Sequence, residues 1–306
     1  MKIFKKELLI KGKPTSVDCV KIEGQTYTIS KGLLKVVALE EEWYEDVMDP
    51  NKVIHALKEA PFRADIFTFW QRFPDTTPRF DYYHEFEAIA VLSIQTYDHW
   101  FRKQINAKTR NMVRKAEKKG VKIRLAEFSD DFVRGMTEIF NESPVRQGKR
   151  FWHYGKDFHT VKEQFSKYLF REYLIGAYYN GELIGFMMIA NAGGYALIGQ
   201  ILSKIKHRDK AINNALVAKA VDTCAEQGFP YLIYYYWGTG SFSAFKRRSG
   251  FEKVFLPRYF VPLTWRGRLA MRVGLHRGLK EALPDSVREK LKDLRRIYLE
   301  YRTKEI

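Results

Sequence analysis

The fold is decided by the stretch Tyr173-Leu-Ile-Gly-Ala-Tyr-Tyr-Asn-Gly-Glu-Leu-Ile-Gly-Phe-Met-Met-Ile-Ala-Asn191. Two runs rich in β-branched and aromatic residues flank Asn180-Gly181, a dipeptide suited to the left-handed dihedrals of a tight hairpin turn. The reading is a pair of antiparallel strands over 173–179 and 183–191. Ala192-Gly-Gly turns the chain, and 195–203 returns as a third strand. A loop over 204–212 leads into a helix at 213–227, closed by Gly228. Residues 230–237 read as a fourth strand, 241–248 as a short helix ended by Gly250, and 252–262 as a last strand or strand pair. Upstream, 130–141 and 160–170 read as helices.

The first half also reads as mixed structure. Residues 17–22 and 26–29 alternate around Glu23-Gly24, a hairpin pattern. Asp49-Pro50 supplies a capping carboxylate followed by the residue that suits a first helical position. Residues 64–70 and 85–94 read as strands. From 96 to 119 the pattern is helical, with Trp100, Ile105, Met112, Val113 and Ala116 apolar and Gly120 as the terminator. The fold class is α/β, with a mixed α+β sheet.

At 306 residues the chain is long enough for two domains. Cys19 and Cys224 are far apart and have no Cys or His neighbours, which argues against a disulfide framework or a zinc site and suits a reducing cytosol. The first ten residues lack the apolar core of a signal peptide, and no run of 18 apolar residues suggests a membrane span. A cytoplasmic protein, at most peripheral to a membrane, is expected. No phosphate-cradling glycine loop, carboxylate pair or metal-ligand cluster is evident, so no metal is expected. Lys and Arg exceed Asp and Glu to give a net charge of +17, which favours polyanionic partners.

The strand and helix order of 120–262 resembles the GNAT acyltransferase fold. Tyr178-Tyr-Asn-Gly-Glu-Leu-Ile-Gly-Phe186 looks like its central meander, Leu216-Val-Ala-Lys-Ala-Val-Asp222 like its cofactor-side helix, and Ala244-Phe-Lys-Arg-Arg-Ser-Gly-Phe251 like its closing helix. Two departures narrow the likeness. The usual glycines of the pyrophosphate loop are missing from Arg208-Asp-Lys-Ala-Ile-Asn213, and Lys246 stands where a tyrosine often protonates the leaving thiolate. Both features, together with the basic segment Thr109-Arg-Asn-Met-Val-Arg-Lys-Ala-Glu-Lys-Lys-Gly-Val121, resemble the Fem family of peptidoglycan aminoacyl transferases. The resemblance implies tandem GNAT-like domains, a degenerate first at 1–107 and the acyltransferase domain at 108–262; residues 263–306 read as a basic helical tail.

That likeness implies transfer of an acyl or aminoacyl group to an amine or hydroxyl of a phosphorylated, glycan-type or small-molecule acceptor. The donor would be acyl-CoA (acetyl-CoA) or aminoacyl-tRNA. Lys246, expected to open the short helix, would stabilise an oxyanion or bind a substrate phosphate, and His153 is the candidate base. His207, Arg208 and Lys210 precede a helix whose first residues are Asn213 and Asn214, one or the other of which would cap it, a setting that favours a donor phosphate. The cationic, aromatic loop 143–156 offers Arg146, Gln147, Arg150 and Tyr154 as acceptor contacts, with Trp70, Gln71 and Tyr235 as further wall residues. The tail interleaves Arg266, Arg268, Arg272, Arg277 and Lys280 with Leu269, Val273, Leu275, Leu279 and Leu283 behind Trp265, a pattern for an anionic membrane surface through 265–283 or for docking on the protein itself. A second, charge-mixed helix is expected at 285–301. A competing reading is a non-catalytic basic scaffold that binds nucleic acid or anionic membrane.

Overall fold

The computed structural model describes residues 1–10, 13–146, 148–167 and 169–277. Gln147, Lys280, Leu279, Leu283 and the expected helix at 285–301 lie outside the described residues.

In chain order the elements are β1 (Phe4–Ile10), β2 (Lys13–Ile22), β3 (Gln25–Ile29), β4 (Val36–Leu39), α1 (Pro50–Lys58), β5 (Ile66–Trp70), β6 (His84–Ser93), α2 (Tyr97–His99) and α3 (Ala107–Lys118). There follow β7 (Lys122–Ala126), α4 (Asp130–Asn141), β8 (Val145–Arg146), β9 (Lys149–Arg150), α5 (Phe158–Ser166), β10 (Glu172–Tyr179), β11 (Glu182–Asn191) and β12 (Ala196–Ser203). The last are α6 (Ile212–Glu226), β13 (Tyr231–Tyr234), α7 (Gly240–Arg248), β14 (Glu252–Pro262) and α8 (Trp265–Arg272). The chain forms two compact units. The first contains Met1–Phe86, Val145–Trp152 and the chain from Leu256 onward, and the second contains Glu87–Pro144 and His153–Phe255.

In the first unit the strands run β1-β2-β3-β4-β5-β14. All neighbours are antiparallel except the parallel pair β4/β5. Glu23 and Gly24 both adopt positive φ between β2 and β3, as the hairpin reading requires. Asp49 accepts hydrogen bonds from the amides of Asn51 and Lys52, and Pro50 opens α1. The core is aromatic. Phe69 stacks on Phe67 at 5.1 Å and on Tyr259 at 4.9 Å, and Tyr27 meets Phe67 edge-on at 6.0 Å.

In the second unit the order is β6-β13-β12-β11-β10-β7. Only β12/β13 is parallel, through Ala196–Leu232 and Leu197–Ile233. Neighbouring residues of β11 face opposite sides, as the two-residue period of a strand demands. Phe186 meets Phe132 and Phe140 of α4, whereas Met187 joins the core built on α6. Helix α6 is apolar on nearly every side, with Ile212, Ala215, Leu216, Val217, Ala218, Ala220, Val221 and Cys224 buried. Such a helix must be covered on all faces.

Three expected elements are corrected. The single helix expected over 96–119 is interrupted: a π-turn at Trp100–Gln104 follows α2, Ile105 is extended, and Asn106 caps a new helix by accepting from the Thr109 amide. The Arg110 guanidinium holds the break by donating to the Ile105 carbonyl at 2.6 Å. Asn213 and Asn214 do not cap α6. Ala211 occupies the cap position at φ 56° and makes no side-chain cap bond, which places the asparagines second and third in the helix. Lys246 lies in the last turn of α7, not at its start.

Candidate active site

Lys246 is buried by helical phase. Ser243, Lys246 and Ser249 recur every three residues on the inner side of α7 and its cap, while Arg247 and Arg248 point to solvent. The lysine is fully buried, although it belongs to a run of three cations. Its ammonium donates to the Tyr236 carbonyl. It also sits 3.9 Å from the centroid of the Tyr234 ring and 4.2 Å from that of Phe242. Among the described residues no carboxylate pairs with it. Desolvation without a counter-ion lowers its pKa to about 7. The same burial raises the Tyr234 phenol to about 12, so the ring stays neutral under the ammonium.

Tyr236 has φ 74°, a left-handed conformation rare for a bulky residue. Gly238 and Gly240 continue in the left-handed region at 74° and 61°. This turn aims the Tyr236 carbonyl at Lys246 and leaves the Tyr236 side chain 75% exposed. Tyr235 faces inward, its phenol oxygen 2.9 Å from that of Tyr195.

The second cluster surrounds the start of α6. Ile212 packs so closely on β11 that a Cβ added to Gly185 would fall 2.7 Å from its Cγ2. The chain then needs a left-handed residue before the helix, and Ala211 supplies it at the strain cost of a non-glycine residue in that region. With no side chain capping α6, its first amides remain an anion-directed group. Asn213 adds a buried Oδ1 with no hydrogen-bond partner among the described residues. His207 lies 3.8 Å from Glu182, and Lys210 sits 4.6 Å from the centroid of the Tyr179 ring and 3.5 Å from Asp209. Arg208 is exposed. The 205–210 turn is held from below by Glu142, whose carboxylate accepts from the Ile205 amide at 2.5 Å and the Lys206 amide at 2.9 Å. No hydrogen bond or ion pair among the described residues joins this cluster to Lys246.

The remaining predicted residues are divided between the two units. His153 is 1% exposed and stacks on Phe140 at 4.2 Å, with Lys156 3.2 Å from its Nδ1. Burial, reinforced by the Lys156 charge, lowers its pKa to about 3. An imidazole with so low a proton affinity is a weak base. Tyr154 is half exposed in the same turn. Arg146, Arg150, Trp70 and Gln71 belong to the first unit. Arg146 covers the Phe151 ring at 5.0 Å, Arg150 is exposed on β9, and Trp70 packs beneath Arg258 at 4.8 Å. The Gln71 amide donates to the carbonyls of Asp75 and Thr77 and accepts from the Arg79 amide and the Tyr259 hydroxyl, so all four of its valences are used internally.

Of the tyrosines at 234–236, whose alternation lets only one face look into a site, Tyr235 was chosen from sequence, whereas Lys246 meets the Tyr234 ring and the Tyr236 carbonyl; Phe242 was missed, and the helical phase of α7, which puts it four residues before Lys246, is the signal that finds it. Glu172 was also missed. Burial raises its carboxyl to about 7, and its Oε2 has no partner among the described residues. Register places it opposite Ala190, with Ala190 opposite Leu197 and Leu197 opposite Ile233.

Residues 126–251 match the acetyltransferase (GNAT) family model. Apart from residues 145–152, the matched stretch falls in the second unit, whose fold is of the GNAT type. Across the greater part of the chain the fold is also that of FemX, at 10% identity, TM-score 0.57, covering 89% of this chain and 90% of that one. It is likewise that of the C-terminal domain of a protein described as a lysylphosphatidylglycerol synthetase from Agrobacterium fabrum, at 14% identity, TM-score 0.56 and coverages of 84% and 87%. L-PGS from Bacillus licheniformis aligns at 16% identity and TM-score 0.52, covering 82% and 86%. No curated protein sequence matches significantly. No helix among the described residues is long and apolar enough to cross a membrane.

Proposed function

We propose that the chain is an N- or O-acyltransferase of the Fem-like type. It would move an acyl or aminoacyl group to an amine or hydroxyl of a phosphorylated, glycan-type or small-molecule acceptor. The observation that carries this reading is Lys246: a fully buried lysine without a counter-ion, at the lysine position of the Fem-like motif, inside a GNAT domain. A buried ammonium with no carboxylate to neutralise it is suited to an anion that forms during reaction. When a donor carbonyl is attacked, the oxygen gains charge, and Lys246 would transfer its hydrogen bond from the Tyr236 carbonyl to that oxyanion. The nucleophile must lose a proton in the same step, and the leaving group must gain one.

The donor phosphate would rest on the opening amides of α6, with His207 and Lys210 beside it and Arg208 reaching from solvent. Asn213 offers an acceptor to a donor hydroxyl or amine. Acyl-CoA and aminoacyl-tRNA both carry phosphates that this chemistry suits. The test is transfer of radiolabel from each donor to amine and hydroxyl acceptors by the purified chain, with Lys246→Met as the control. Transfer from one donor that the variant lacks supports the reading. Transfer from neither donor, with retained binding of tRNA or anionic vesicles, supports the non-catalytic scaffold, which the net charge of +17 favours.

A further inference from the structure

The first unit carries an apolar and basic surface that acyl transfer does not use. Helix α8 turns about 100° per residue, so Trp265, Leu269 and Val273 advance by about 40° each and form one stripe along its length and cap. All three are exposed, at 63%, 52% and 55%. Gly267 and Ala270 lie on the opposite side and are buried, Ala270 against Ile66 and Phe260. By the same geometry Arg266 borders one side of the stripe, and Arg268 and Arg272 border the other. All three arginines are exposed, and among the described residues no carboxylate pairs with them. Residues 263–277 contain no Asp or Glu.

A second exposed segment shares the footing of this helix. The loop 30–35 reads Ser-Lys-Gly-Leu-Leu-Lys, again without an acid, and its Leu33 is 95% exposed. The fully buried Asp65 ties both segments down. One of its carboxylate oxygens accepts from the Lys35 amide at 2.8 Å, and the other accepts from the Thr264 hydroxyl at 2.7 Å, next to Trp265. Arg63 pairs with Asp65 at 3.1 Å and donates to the Leu33 carbonyl. Helix α8 packs so tightly on the start of β5 that a Cβ on Gly267 would lie 2.0 Å from the Asp65 carbonyl oxygen.

The geometry points to an anionic-membrane docking patch: Trp265, Leu269, Val273 and Leu33 enter the interface, and Arg266, Arg268, Arg272 and Lys31 meet lipid phosphates. Exposed aliphatic side chains between cations with no acid partners match a surface that is apolar beneath and negative above. Nucleic acid would satisfy the cations but leave Leu33, Leu269 and Val273 in water. The patch shares no residue with the proposed transfer chemistry, so the two readings stand or fall independently.

The test is co-sedimentation of the full chain with vesicles of phosphatidylcholine alone and with phosphatidylglycerol added, with tRNA binding, light scattering and thermal melting measured in parallel. The expected result is binding to the anionic vesicles, weakened at least about tenfold in Trp265→Ser/Leu269→Ser, in Leu33→Ser and in Arg266→Glu/Arg272→Glu, with melting temperatures unchanged. Absence of binding to anionic vesicles would overturn the proposal. So would vesicle binding that the apolar substitutions leave intact. Loss of self-association in the same variants would assign the patch to a second copy. A fall in melting temperature would assign it to cover by residues 278–306. Either outcome, without vesicle binding, overturns the proposal as well.

Discussion

The ammonium of Lys246 lies 3.9 Å from the centroid of the Tyr234 ring, yet its hydrogen bond goes to the carbonyl of Tyr236 two residues on. The ring lowers the electrostatic cost of the buried cation, and the carbonyl directs it. Both are neutral partners, so the charge remains available to an arriving anion. Lys246→Met keeps the length and removes the charge. It is expected to lower acyl transfer at least about a hundredfold, the scale of losing one oxyanion donor. Thermal stability should be unchanged or higher, because a buried charge is exchanged for an apolar chain. Turnover and melting temperature of the same preparation check both parts.

The stability of the chain should carry a Lys246 signature in pH. The folded-state pKa of about 7 lies below the ordinary 10.5, so between those values the unfolded chain binds more protons than the folded one. Stability therefore rises with pH across that window. The difference in unfolding free energy between wild type and Lys246→Met should grow in favour of wild type from pH 7 to pH 10. Denaturant titrations at several pH values measure it, and a flat difference would show that the lysine is not desolvated.

Glu172 should behave in the opposite sense. Burial raises its pKa from 4.5 to about 7, so the folded chain holds the proton more tightly in that interval. Its contribution is fully present below about pH 4.5 and is lost as pH rises through 7. Glu172→Gln should remove this slope and leave the chain more stable than wild type at pH 8. Paired chemical-denaturation curves at pH 5 and pH 8 supply the comparison.

Gly185→Ala places a methyl 2.7 Å from Ile212 Cγ2 and 3.2 Å from the Leu202 carbonyl. Overpacking of this kind costs about 1–3 kcal/mol. Relief must come from movement of the first turn of α6, where the donor phosphate is proposed to sit. The variant should therefore lose stability and also show a raised apparent KM for the donor, with kcat less affected. Steady-state kinetics against donor concentration separate the two.

Glu142→Gln removes the charge that caps the amides of Ile205 and Lys206. Hydrogen bonds to a charged group contribute about 1.5–3 kcal/mol, and an amide side chain can keep at most part of that. Faster amide hydrogen exchange confined to 204–211, with the sheet core protected, is the expected outcome.

The elements legible in the sequence are those with local causes. Asp49-Pro50 opens α1 by capping, and Asn180-Gly181, at φ 51° and 83°, turns β10 into β11. The helix over Asp130–Asn141 has the expected bounds because its apolar face and its cap Ser129 agree. Elsewhere tertiary contacts decide. Asn213 and Asn214 are good caps, but Ile212 is fixed against Gly185, so the helix begins one residue before them. Lys246-Arg-Arg reads as a solvated run until the three-residue recurrence of Ser243, Lys246 and Ser249 is followed. Asn106, three residues before Thr109, was a capping signal inside the longer helical pattern, and the apolar period masked it. Gln71 and His153 are residue types that serve sites, yet here Gln71 bonds within the first unit and His153 is stacked on Phe140.

The central claim is that the chain transfers an acyl group and that Lys246 stabilises the charge that develops. The most direct measurement is single-turnover transfer of label from acetyl-CoA and from aminoacyl-tRNA to a panel of amine and hydroxyl acceptors, wild type beside Lys246→Met. The account predicts transfer from one donor by wild type and a rate at least about a hundredfold lower in the variant. Equal rates in the two proteins, or no transfer from either donor, would contradict it.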